Sequence, residues 1–328
     1  MIDATGTLRL THALRSGTTR AELQDLLATP DLDRMLRAVG LTIPQGTDYL
    51  LEVCAGSPRS DLDETGRAVV SYFADLLANL DRLRTLIQEL DREGPALVGA
   101  AFETAREYLP RGATVGTPRL VVLPLGFDFR TDRETVYMDP LAALSLGRAG
   151  IQTTLAHELH HVARFRLTGE NLTLMRPDSE IVPSDVRGTF GEWAEWLEAE
   201  GIADCASNMT QTDVPALRQA AAERRRQIAE YSGLLTETLG LFRAAWSTGT
   251  MAPSELSGLR RRARGLAHSV GYGMAREILT ALGPEVLVNC VGRPRAFLMR
   301  YNEASGREGK AGIDQSLMET VGPSGPHR

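Results

Sequence analysis

Residues 157–161 read His157, Glu158, Leu159, His160, His161, and they constrain the chain more than any other segment. Thr153 to Ala156 before them and Val162 and Ala163 after them carry no charge, so the stretch reads as a helix buried within a domain. On a helix, positions four apart stand one above the other. The rings of His157 and His161 therefore share a face, with Glu158 beside them. Buried imidazoles need partners. Ordinary core hydrogen bonds would serve, but a divalent cation gripped by both rings, with the carboxylate reaching a water upon it, uses all three residue types. His160 lies about a quarter turn from His161 and points away from that cation, so it takes no ligand role.

Two histidines leave a catalytic zinc site one ligand short, because such sites use three protein ligands and keep a fourth position for water. A histidine six residues after the second, with a glycine at 164, would give the metzincin arrangement. Those positions hold Leu167 and Arg164. An acid on a second helix is the next source to consider, and Gly191 to Asp204 supplies several, with Trp193, Trp196 and Leu197 marking its apolar face at helical spacing. Glu200 and Asp204 are four apart on one face. Glu200 is expected to ligate the metal, and Asp204, one turn on, to accept the free ring N–H of a ligating histidine, His157. Glu192, Glu195 and Glu198 are expected on a solvated face. Glu198 competes for the metal, but it lies on a different face from Glu200 and has no acid four residues later.

His-Glu-Leu-His-His followed by Glu200-Gly201-Ile202-Ala203-Asp204 resembles the gluzincin metallopeptidases, the thermolysin-like clan in which a second helix carries Glu-x-x-x-Asp. Within that clan it is most similar to a bacterial branch of zinc-dependent peptidases with a Glu-Gly-x-Ala-Asp motif. The resemblance covers about residues 115 to 280 and is specific at these few positions. It implies a zincin-like catalytic core and a peptidase holding one Zn²⁺ per chain through His157, His161 and Glu200. In such a site the metal brings the pKa of a water towards neutrality and polarises the scissile carbonyl. Glu158 then acts as general base and hands the proton to the leaving amine, while a donor across the cleft stabilises the oxyanion. His268 and Tyr272, four apart in the stretch Ala267 to Met274, are the candidates for that donor, since gluzincins use a Tyr or His there. Packing and surface roles are the alternative for both.

The same donor set suits Fe²⁺ or Mn²⁺, and the peptidase context favours zinc. Two further readings stay open: a helical binding or regulatory protein with a structural or non-catalytic zinc site, and a hydrolase acting on a polarised carbonyl other than a peptide. Glu158 beside the ligands favours the enzyme, because a structural site has no use for a base.

The expected fold class is α+β and predominantly α-helical, with a small antiparallel β-hairpin or sheet before the motif helix. Arg119 to Leu125 and Thr135 to Asp139 are two β-type runs separated by the polar stretch Gly126 to Glu134, which reads as a hairpin. Pro124 pushes the first run towards an edge, where an extended peptide could add itself as a further strand. Val69, Phe73, Leu76, Leu80, Leu83, Ile87 and Leu90 form a helical core stripe. It is expected to pack on Ala21 to Ala28 and Leu32 to Val39, with Asp31 as a cap. A further long helix is expected from Pro215 to Trp246, and the runs Arg224 to Arg226 and Arg260 to Arg262 on solvated faces. These elements suggest a helical region over 1–111, the zincin-like core over 112–302 and a flexible tail over 303–328, in which His327 has no ligand role.

A net charge of −6 gives no global basic footprint for nucleic acid. No stretch is apolar enough to span a membrane, and the first residues lack the apolar core of a signal peptide. Cys54, Cys205 and Cys290 are odd in number and widely spaced, which suits reduced thiols. A cytoplasmic location and a peptide or protein substrate are therefore expected.

Overall fold

The computed structural model describes residues 2–56, 60–169, 185–207, 218–248, 251–310 and 312–321. Helices dominate and one small sheet accompanies them, as the expected fold class requires. The chain forms two compact units. The first takes the residues up to Gly99 together with Thr117–Ile151, and the second takes Ala100–Gly116 and the described residues from Gln152 onward.

The first unit opens with β1 (Ile2–Asp3), followed by α1 (Thr5–Ser16), α2 (Arg20–Leu27), α3 (Pro30–Ala38), α4 (Ile43–Ala55) and α5 (Glu64–Ala78). Local signals start these helices. Thr19 with Glu22 and Thr42 with Gln45 form capping boxes, and Asp63 accepts the Gly66 N–H at the start of α5. Asp31 is not a cap, because α3 already begins at Pro30 and places Asp31 in its first turn. The apolar stripe from Val69 is divided: Asn79 separates α5 from α6 (Leu80–Arg106), while Phe73, Leu76, Leu80, Leu83 and Leu90 are all buried. α5 packs chiefly on α4, an element the sequence reading had not singled out.

The sheet corrects the hairpin expectation. β2 (Arg119–Val122) and β4 (Thr135–Met138) pair in parallel, Leu120 opposite Val136. The segment between them contributes its own strand, β3 (Phe129–Thr131), antiparallel to β4, giving the order β1-β2-β4-β3. The physical reason is legible in hindsight. Leu120, Val121, Val122, Val136, Tyr137 and Met138 are all buried, and such unbroken apolar runs belong to strands covered on both faces, where parallel pairing prevails. β2 is thus an inner strand, and Pro124 lies beyond its end.

Asp139 ends β4 and starts α7 (Pro140–Thr168). One of its carboxylate oxygens accepts the N–H groups of Leu141 and Ala142, and the other accepts Leu125 N–H and the Tyr72 hydroxyl. α7 is two helices joined at Gly147, whose φ of 60° and ψ of −176° only glycine adopts without strain. The second of them carries the histidine motif.

In the second unit, α8 (Val186–Ser207) is followed by α9 (Arg218–Ala229), α10 (Tyr231–Thr248), α11 (Pro253–Leu282), α12 (Pro284–Val288), α13 (Pro294–Arg307) and α14 (Gln315–Met318). The long helix expected from Pro215 is two helices, divided at Glu230, and residues 215–217 lie outside the described residues. The tail expectation also changes. Residues 303–307 complete α13, and among the described residues beyond it Ile313, Leu317, Met318 and Val321 are buried. His327 lies outside the described residues. No helix among the described residues is long and apolar enough to cross a membrane.

Candidate metal centre

α7 and α8 are both buried around much of their circumference. In α7, Leu155, Ala156, Leu159, Val162 and Ala163 are at most 1% exposed, and in α8 every residue from Trp196 to Ser207 is buried. Polar groups on such helices must be satisfied by one another. Two sets of groups on α7 and α8 meet this demand in different ways.

The first is an ion pair. Arg164 and Glu198 are both fully buried; the Arg164 Nε and Nη2 donate to Glu198 Oε2 at 2.9 and 2.6 Å, and Gly292 N–H donates to Oε1 at 2.9 Å. Glu198 is therefore neither solvated nor available to a metal. Glu192 likewise accepts two bonds from Arg260, at 2.7 and 2.6 Å. This corrects the solvated-face reading for Glu192, Glu198 and Arg260, the last being 9% exposed. Arg224 departs from it as well, reaching Asp204 at 3.4 Å.

The second set is the histidine cluster. His157 Nε2 lies 3.1 Å from Glu200 Oε2 and 3.0 Å from His161 Nε2, and His161 Nε2 lies 3.3 Å from the same Glu200 oxygen. Behind His157, Asp204 Oδ1 stands 3.2 Å from Nδ1. Nδ1 is buried there, close to the carboxylate but without a hydrogen bond of good geometry. Two imidazole nitrogens and a carboxylate oxygen thus face one another out of water, an arrangement that a positive charge among the three atoms, a proton or a metal ion, satisfies. The spacing suits a metal cation. Tetrahedral Zn²⁺ bound at about 2.0–2.1 Å requires donor atoms standing about 3.3–3.4 Å apart. The three edges of 3.0, 3.1 and 3.3 Å approach that figure. His157, His161 and Glu200 thus form a donor set that fits one ion.

Glu158 follows His157 on α7 and is 5% exposed. His160 is turned away from the cluster, as expected: its Nε2 lies 3.2 Å from the Tyr108 carbonyl oxygen. Burial, with His161 close by, pushes its pKa down to about 3, so the ring is neutral.

α11 brings in the fifth group. His268 Nδ1 lies 3.0 Å from Asp204 Oδ2 and 3.4 Å from Glu200 Oε2, its ring stacked on His157 at 5.6 Å. The helices α8 and α11 meet in a regular register, three of their contacts joining residues 68 apart: Glu192 with Arg260, Trp196 under the Arg264 guanidinium at 4.6 Å, and Glu200 with His268. Gly201 and Gly271 permit this approach by meeting backbone to backbone. Tyr272, one turn after His268, is half-buried, and its phenol contributes to holding the pKa of Tyr108 up, behind the larger effect of burial.

The charges within the cluster are mutually compensated. Burial alone would raise the carboxyl groups of Glu200 and Asp204, yet the adjacent His268, His161 and His157 hold Glu200 well below its ordinary range, and His268, Arg224 and His157 do the same for Asp204. Burial would also lower His157 and His268, but the same two carboxylates hold both above the usual imidazole value. His161 is lowered by burial in spite of Glu200.

Sequence reasoning had not given Arg164 a buried partner, had placed Arg224 on a solvated face, and had passed over the α8–α11 register. A lone arginine beside an uncharged buried helix segment was a signal for the first, since such a charge demands a buried partner. The recurrence of charged or aromatic residues every four positions in both 192–204 and 260–272 was a signal for the third.

The model of a protein family described as "Putative zinc dependent peptidase (DUF5700)" matches residues 23–308 of this chain. No curated protein and no solved structure matches it.

Proposed function

The chain belongs to that family, and from this premise we propose that it is a zinc-dependent peptidase of gluzincin type, with His157, His161 and Glu200 holding one Zn²⁺. The observation that carries the reading is the three-atom triangle of His157 Nε2, His161 Nε2 and Glu200 Oε2, backed by Asp204 at His157 Nδ1. Bound zinc supplies Lewis acidity, bringing the pKa of a water towards neutrality and polarising a carbonyl.

The chain's own residues do the rest. Glu158, adjacent to the first ligand, accepts the proton of the attacking water at its carboxylate and returns it to the leaving amine. Asp204 faces His157 Nδ1 through Oδ1 and steadies His268 through Oδ2. His268, whose pKa the two carboxylates raise in spite of burial, presents Nε2–H towards substrate and stabilises the oxyanion. It is the better candidate for this role than Tyr272, because its ring lies against His157 while 37% of its side chain stays accessible.

The substrate in this reading is a peptide or protein. We place the activity in the cytoplasm, on the support of three free cysteines, and assign no nucleic-acid or membrane partner, on the support of the net charge of −6 and the lack of a spanning helix among the described residues.

The test is hydrolysis of a mixed peptide library by the wild-type protein and the Glu158→Gln variant, with zinc measured in both. Turnover in the wild type, and its loss in the variant at unchanged zinc content, is the expected result. Equal turnover by the two proteins would remove Glu158 from the role of base and the gluzincin mechanism with it.

A further inference from the structure

A cavity of about 510 Å³ lies wholly within the first unit, between α3, α4, α5 and the turn 124–127. Its size falls in the range of small-molecule pockets. The floor is carbon: Met35, Leu36, Leu50 and Phe73 are each at most 5% exposed. The mouth is carbon too, since Val39 and Phe127 stand there 38% and 58% exposed.

Folding alone does not account for Phe127. Its φ of 66° lies in the left-handed region, where no other non-glycine among the described residues is found, and it follows Gly126 at 74°. A bulky side chain is strained there and a glycine is not. Asp139 imposes the turn, because its carboxylate accepts the N–H groups of Leu125 and Phe127. That explains the backbone, which a glycine would serve better, but not the ring. The ring buries less than half its surface, and strain held without a matching gain in packing points to a ligand contact. It meets Tyr72 edge to face with centroids 5.6 Å apart, and Tyr72 meets Phe73 in the same way at 5.3 Å, so three aromatic rings line one side of the cavity.

Of the residues lining the cavity Glu64 alone is charged, and among the described residues no ion pair engages it. A carboxylate at the mouth of an apolar cavity repels anions and attracts cations. Glu64, Ala68 and Tyr72 follow one another at intervals of four along α5 and all line the cavity. The charge and the aromatic rings are therefore separated by about 12 Å of helix.

We propose that this cavity binds a small molecule with an apolar body and one positive charge, an alkyl- or arylalkylammonium, with the Phe127 ring covering the body and Glu64 meeting the charge. Neither zinc nor peptide hydrolysis enters the proposal. Isothermal titration of the full chain with octylammonium chloride and with sodium octanoate tests it, beside the Phe127→Gly and Glu64→Gln variants. Glycine suits the left-handed backbone, so Phe127→Gly removes the ring and keeps the turn. The expected result is saturable binding of one octylammonium per chain, about fivefold tighter than octanoate. Octylammonium should bind about tenfold more weakly to Phe127→Gly, and Glu64→Gln should lose the preference over octanoate. Octanoate bound as tightly as octylammonium by the wild type would overturn the proposal, as would octylammonium binding unchanged in Phe127→Gly. A preference retained in Glu64→Gln, or no saturable binding at all, would overturn it as well.

Discussion

Gly201 of α8 lies against Gly271 of α11 so closely that a β-carbon on Gly201 would stand 2.4 Å from the Gly271 carbonyl, and one on Gly271 would stand 2.4 Å from the Leu197 carbonyl. Both obstacles are backbone atoms, which cannot turn aside as a side chain can. Glu200 precedes the first glycine and His268 lies three residues before the second, so the crossing brings two members of the cluster together. Gly271→Ala is expected to destabilise the protein by about 3 kcal/mol, at the upper end of the overpacking range. Urea unfolding checks this, and a loss below about 0.5 kcal/mol, typical of a surface change, would contradict the crossing.

The Arg164–Glu198 pair leads to a second expectation. Removing one partner leaves a buried charge without compensation, so Glu198→Leu should cost about 3–5 kcal/mol. Replacing both, as Arg164→Met with Glu198→Leu, should recover a large part of that loss. The double-mutant cycle in urea measures the coupling, and additive losses in the double variant would show that the pair does not act as a unit.

Asp204 touches His157 from behind, and its loss should weaken the metal without abolishing binding. Asp204→Asn keeps the shape and removes the negative charge that stands 3.2 Å from His157 Nδ1. Zinc affinity, measured by competition with a chromophoric chelator, is expected to fall about 10–100-fold. Unchanged affinity would remove Asp204 from any part in holding the ligand.

These three expectations drew on the sequence to different degrees. The closeness of His157 and His161 was legible because their geometry is set within one helix, where spacing alone fixes the shared face. Glu200 and Asp204 were legible as a pair because both sit one turn apart on a single helix, and the structure brings both to His157. Glu198 was misread for the opposite reason: its burial depends on Arg164, a residue 34 positions away on another helix, and no local pattern reports that pairing. Strand direction failed likewise. The runs at Leu120 and Val136 were recognised as strands, but their parallel pairing follows from cover on both faces, which only the assembled unit supplies.

His160 gives a pH-dependent expectation. Its folded pKa is depressed to about 3 by burial and by His161, against about 6.5 in an unfolded chain. A depressed imidazole pKa stabilises the fold fully above the unfolded value, and that contribution is lost as pH falls from about 6.5 towards 3. Nδ1 of this ring is buried without a hydrogen-bond partner, so a proton there has no acceptor. His160→Gln removes the titration. The stability of the metal-free wild type relative to this variant should fall steadily over that pH window, as read by urea unfolding at several pH values. A difference that stays constant with pH would contradict the assignment.

The central claim is that His157, His161 and Glu200 hold one zinc ion, and metal content tests it most directly. Elemental analysis of the purified protein, dialysed against metal-free buffer after loading with a single equivalent of zinc, should return about one zinc per chain in the wild type. His161→Ala and Glu200→Ala should each return close to none, while circular dichroism shows the helices retained. Zinc kept at the wild-type level in both variants, or no zinc in the wild type, would contradict the claim.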